Sequence, residues 1–117
     1  MAAPNIVGVT TITGKTAVQQ VGTSATAIIT NSAASGTVVK VNALLISNVE
    51  NSTGYAITVD IYRSSTAYRM ATLISVPANS TLDLVNKSIY LEEGDSLRLT
   101  ANSASKLEAV ASYEVIS

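Results

Sequence analysis

A chain of 117 residues with seven Lys/Arg, eight Asp/Glu, no cysteine and no histidine makes one domain, able to bury about two-thirds of the surface its unfolded form exposes. The missing residue types exclude thiolate chemistry, disulfide framing and the usual imidazole base or zinc ligand. A net charge of −1, with no cluster of Lys or Arg, excludes the electrostatic footprint of a nucleic-acid binder.

The first element in chain order is a strand over Ile6–Thr13, with Met1–Thr13 as a candidate extended arm and a turn at the TGK triplet around Gly14. Further strands are expected over Thr26–Asn31, Val38–Val49, Tyr55–Arg63, Tyr68–Val76, Thr81–Leu91, Ser96–Asn102 and Lys106–Ile116. Between them lie clusters such as NSAASG, ENSTG, RSST, PANS, EEGD and NSAS. Their Gly, Asn, Asp and Ser residues favour turns through positive φ or local side-chain hydrogen bonds.

Period-two patterning carries the strand assignments. Ile57, Val59 and Ile61 alternate with Thr58, Asp60 and Tyr62, and Leu97, Leu99 and Ala101 alternate with Arg98 and Thr100. The last segment alternates Leu107, Ala109, Ala111, Tyr113 and Val115 with polar neighbours, which favours a strand over a helix despite its alanines. The fold class is therefore all-β: a single-domain antiparallel β-sandwich, jelly-roll-like, of about eight strands spanning residues 1–117. A Greek-key sandwich or a small barrel is the alternative. With Phe and Trp absent, the core is aliphatic.

The segment VNALLISN breaks the alternation with four consecutive apolar residues, Ala43 to Ile46. It reads first as a central core strand covered on both faces. The second reading places Leu44 and Ile46, together with an outward Tyr62, at a subunit interface. Such an interface suits the composition. Charged residues make up 13% of the chain, against roughly 25% in ordinary soluble domains. Charge is depleted at interface cores because desolvating it is expensive. A monomer with a neutral surface is the competing reading.

The carboxylate cluster is LEEGDSLRLT, where Glu92, Glu93 and Asp95 surround Gly94. A glycosidase would need two carboxylates held across a cleft, and calcium would accept carboxylate and carbonyl oxygens, but the spacing is not that of an EF-hand loop. No GxSxG, SxxK or phosphate-loop motif occurs. The favoured reading is structural, with no catalytic residue, metal or cofactor: Gly94 supplies positive φ, Asp95 bonds local backbone, and Glu92 and Glu93 lie in solvent. The Asn-x-Ser/Thr triplets at Asn51, Asn79 and Asn86 follow from composition. The N-terminus lacks a basic region followed by an apolar one, and no apolar run approaches membrane-spanning length, so neither a secretion leader nor a membrane partner is expected.

The C-terminal part adds a resemblance. A strand ending in Tyr62-Arg63, the stretch VPANSTLDL, the corner formed by Leu91, Gly94, Asp95 and Leu97, and the terminal Ser112-Tyr113-Glu114 strand resemble small virion structural proteins of tailed bacteriophages. The likeness runs from about Val41 onward. It implies a β-sandwich subunit that decorates or cements a capsid: a homo-oligomer, expected as a trimer, seated on the major capsid protein at the virion surface. Tail, neck and fibre components are the alternatives within that resemblance. From the residues themselves, a carbohydrate-binding module using Tyr62 is a further class, disfavoured by the absence of Trp.

Overall fold

The computed structural model describes residues 5–117. Nine strands follow a short 3-10 turn at Ile6–Gly8: β1 (Ile12–Gln20), β2 (Thr26–Thr30), β3 (Val38–Asn48), β4 (Tyr55–Arg63), β5 (Thr66–Val76), β6 (Thr81–Asp83), β7 (Ile89–Leu91), β8 (Ser96–Ala101) and β9 (Leu107–Ile116). They form two antiparallel sheets. Sheet A has the order β1-β9-β3-β6, with β7 also paired to β3, and sheet B has the order β2-β8-β4-β5.

Pairings of β6 and β7 explain the strand count. β6 pairs with β3 through Leu45↔Asp83, and β7 pairs with an earlier part of the same strand through Val41↔Ile89. Together they are one broken strand. The expected strand Thr81–Leu91 is thus interrupted over residues 84–88, where Val85 turns into the core and its backbone N–H donates to Asp83 Oδ1 at 3.1 Å. Counted as one, the pair completes eight strands in jelly-roll order, the chain crossing between sheets at every connection except the β4–β5 hairpin. That crossing lets each sheet bury one face against the other.

The apolar sets predicted from alternation point inward. Ile57 and Val59 from β4, Leu97 and Leu99 from β8, and Leu107 and Ala109 from β9 belong to one buried cluster with Val41, Leu44 and Ile46 of β3. The broken alternation of β3 has a local cause. Its register with β9 passes from Val41↔Tyr113 to Ala43↔Ser112, so Asn42 is an extra, bulged residue. A bulge shifts the parity of every following side chain. Val39 and Val41 face inward before it, Leu44 and Ile46 after it, and Leu45 faces out. Leu44 and Ile46 are completely buried within this one chain. The expectation that they meet another subunit is corrected: they have no surface to offer.

The N-terminal expectation is also corrected. β1 runs from Ile12 to Gln20, Gly14 lies inside it opposite Glu114 rather than in a turn, and Ile6–Gly8 is a 3-10 turn. As an edge strand almost wholly exposed, β1 carries little hydrophobic periodicity, and its position is set by nine residue pairs with β9. Residues 1–4 of the candidate arm fall outside the described part. The rest of the arm is anchored: Asn5 Oδ1 accepts from the Val7 backbone N–H, and the backbone N–H groups of Thr10 and Thr11 donate to the Ser117 carbonyl.

Candidate functional site

The carboxylate corner sits where β7 turns into β8. Gly94 adopts φ +89°, the left-handed conformation that costs a residue with a Cβ. The Asp95 backbone N–H returns to the Glu92 carbonyl at 3.0 Å, and the Glu92 backbone N–H donates to Asp95 Oδ2 at 2.8 Å. This is the local turn expected from the sequence.

The other partners come from far along the chain. Arg63, the last residue of β4, donates from Nε to Asp95 Oδ1 at 2.8 Å and from its terminal nitrogen to Asp95 Oδ2, a bidentate pair whose planar geometries match. The same terminal nitrogen reaches Glu92 Oε2 at 3.0 Å. The Asp95 side chain is 2% exposed and that of Arg63 46%, so the guanidinium lies between a buried carboxylate and solvent. Hydrogen bonding from Arg63 is the main cause holding the Asp95 carboxyl below its ordinary value, against the opposing effect of burial. The hydrogen bond to Asp95 likewise raises Arg63.

Glu93 is only half-exposed, contrary to the expectation of a solvent-facing side chain. Its Oε2 accepts from the Gly36 backbone N–H at 2.8 Å, pinning the loop before β3. In that loop the buried Asn31 donates from Nδ2 to the carbonyls of Thr37 and Leu91, both at 3.0 Å. Its Oδ1 accepts from Ser35 Oγ at 2.7 Å and Thr37 Oγ1 at 3.0 Å. Its backbone also exchanges hydrogen bonds with Gly94 and Asp95. Each of the three carboxylates is thus engaged by protein donors, Glu92 and Asp95 by Arg63 and Glu93 by the Gly36 backbone. Among the described residues, no group of three acidic side chains is placed to hold a metal ion.

The opposite pole has a matching fastening. Buried Asn48 donates from Nδ2 to the carbonyls of Thr53 and Val76 at 2.9 Å, and its Oδ1 accepts from the Glu50 backbone N–H at 2.9 Å. Beside it Lys106 donates to Glu50 Oε2 at 2.7 Å, and that hydrogen bond raises the Lys106 ammonium pKa.

Tyr62 stands on the outer face of sheet B, as expected, but its ring is occupied: the Arg98 guanidinium lies 4.0 Å from the ring centroid. Arg98 also donates from Nε to Asp60 Oδ1 at 2.8 Å. Asp60 opposes Arg98 on one side and Arg69 of β5 on the other. On the outer face of sheet A, Val18, Val110 and Leu45 lie side by side across β1, β9 and β3, and all three are exposed. Sequence reasoning missed this row because each residue is an isolated apolar position in its own strand, and only the register aligns them.

No family model and no curated protein matches this chain. Among solved structures it is similar to a protein of Bacillus endospore appendages, described as a novel family of disulfide-linked pili. The TM-score is 0.53 with 11% sequence identity, over 91% of this chain and 85% of that one. The likeness is one of fold. These 117 residues contain no cysteine, so none of them can enter a disulfide link.

Proposed function

We propose that this chain is a non-enzymatic structural subunit of a protein assembly and, within that class, a capsid decoration protein of a tailed bacteriophage, homo-oligomeric and seated on the major capsid protein. One observation carries the reading. The clustered charges fasten the molecule to itself, through Arg63 with Asp95, Arg98 with Asp60 and Lys106 with Glu50, while the apolar row Val18, Val110 and Leu45 is left outside. These carboxylates are already engaged by cations of the same chain, and an apolar row on a low-charge surface is what an assembling subunit presents. The capsid assignment itself rests on the sequence resemblance from Val41 onward.

Quantitative mass spectrometry of purified particles tests it. The chain should be present at high copy number, comparable with a shell component. Absence from the particles, or only a few copies, overturns the decoration reading.

A filament subunit is the second reading, favoured by the fold shared with the pilus protein. Electron microscopy of the concentrated, purified chain would show regular filaments in that case and none for a decoration protein. The carbohydrate-binding alternative has less support, because Arg98 already covers the Tyr62 ring.

A further inference from the structure

The outer faces of the two sheets are complementary to each other. That of sheet A carries Glu108 and Glu114 from β9 and Asp83 from β6 against one cation, Lys40 of β3, by the register of its strands. That of sheet B carries Arg98 of β8 and Arg69 of β5 against one anion, Asp60 of β4. Lys40 is near Glu114 at 4.0 Å and Arg98 is paired to Asp60. Among the described residues, Glu108 on one face and Arg69 on the other have no ion-pair partner. Both are exposed.

The shapes correspond as well. Beside Glu108, Val18, Gln19, Gln20 and Val110 line an open depression of about 340 Å³. On sheet B, Leu73 borders the same outer groove as Asp60, Arg69 and Arg98. Leu73 is 66% exposed, and its φ of +49° is a conformation that a residue with a branched side chain seldom adopts. It lies where the β4–β5 register slips between Ile57↔Ile74 and Val59↔Ala71, and its backbone N–H is held by Thr58 Oγ1 at 3.1 Å. A strained backbone that holds a large apolar side chain in water is a reason to look for what that side chain meets.

We infer that the occupant of each outer face is the opposite outer face of a second copy of this chain, with Leu73 seated in the Val18–Val110 depression and Arg69 paired to Glu108. This deepens the assembly reading and rests on it. The two faces lie on opposite sides of the sandwich, so the contact is heterologous. Such a contact does not end at a two-fold dimer but continues into a ring or a column.

Sedimentation velocity on the full chain over a concentration series tests the inference, using Arg69→Glu, Glu108→Arg and an equimolar mixture of the two. The wild type should gain mass with concentration beyond a dimer or into a closed ring. Each variant alone sets like charges against each other and should weaken association by about tenfold or more. Mixing them should restore it, since the carboxylate introduced in one variant then meets the guanidinium introduced in the other. Leu73→Gly should also weaken association while raising the melting temperature of the monomer, which relief of strain alone would do without affecting association. A wild type that stays monomeric at every concentration overturns the inference. So does an oligomer that both charge reversals leave intact, or a mixture that fails to reassociate. These outcomes separate from the functional reading: high copy number on particles with no self-association sinks only this contact, whereas self-association without presence on particles sinks the decoration role.

Discussion

Arg63 and Asp95, thirty-two positions apart in sequence, form a bidentate ion pair in which the carboxylate is buried and the guanidinium closes it from solvent. It joins the end of β4 to the start of β8 and closes one pole of the sandwich. Removing Arg63 as Arg63→Ala leaves a buried carboxylate with only backbone support. Losing one partner of such a pair is costly, reduced here by the partial exposure of Arg63. Destabilisation of roughly 2–3 kcal/mol is expected in urea unfolding.

The same pair sets an acid limit. Because the folded-state pKa of Asp95 is lowered from 3.8, its contribution is fully present above that ordinary value and is lost as pH falls through the lowered folded value. Urea midpoints measured from neutral pH down to strong acid should fall in that acidic window. Asp95→Asn should be less stable at neutral pH and show a flatter acid dependence. An unchanged acid profile would remove the pair from the account.

Asn31 closes that pole by uncharged means. It is buried with both side-chain atoms fully used, two donations and two acceptances. Asn31→Asp replaces the donating amide with an oxygen facing the carbonyls of Thr37 and Leu91. A cost of about 2–4 kcal/mol is expected, since donors and acceptors are left unmatched inside. Hydrogen exchange should show the loop between β2 and β3 losing protection first.

At the corner, substitution tests separate backbone from charge. A Cβ on Gly94 meets nothing within 4 Å, so Gly94→Ala is opposed by φ alone and should cost about 1–2 kcal/mol. Gly94→Val adds β-branching and should cost more. Glu93→Gln keeps an oxygen for the Gly36 N–H and should be nearly silent, whereas Glu93→Ala should loosen the Gly36 loop. Thermal melts of the four variants give the order.

The β4–β5 hairpin turns through Ser64 and Ser65 at φ +50° and +62°. A two-residue loop with both φ positive favours Asn-Gly over Ser-Ser. The double substitution Ser64→Asn, Ser65→Gly should stabilise the fold by about 0.5–1 kcal/mol, seen as a melting temperature several degrees higher.

Local chemistry made much of this protein legible. Alternation in β4, β8 and β9 named the inward side chains, because a pleated strand has an exact period of two. Gly94 announced its turn, because glycine adopts positive φ without the steric cost of a Cβ. The sandwich class followed from short strands at regular spacing, while the choice of jelly-roll order over a Greek key or a barrel came from the strand pairing. Where a strand buries little, as in β1, or breaks, as between Asp83 and Ile89, the one-dimensional signal fades, and the boundaries there were set by pairing with β9 and β3.

What the sequence determined by itself is the class: an all-β, aliphatic-cored, low-charge domain without the side chains for imidazole or thiolate chemistry. Only the tertiary structure decided which face each residue serves. The Asn42 bulge turned Leu44 and Ile46 inward and Leu45 outward, a change of parity no propensity records. The register of three strands assembled Val18, Val110 and Leu45 into one row. Folding also brought Arg63 to Asp95, since an ion pair between distant residues leaves no periodic trace and exists only where two strand ends meet in space.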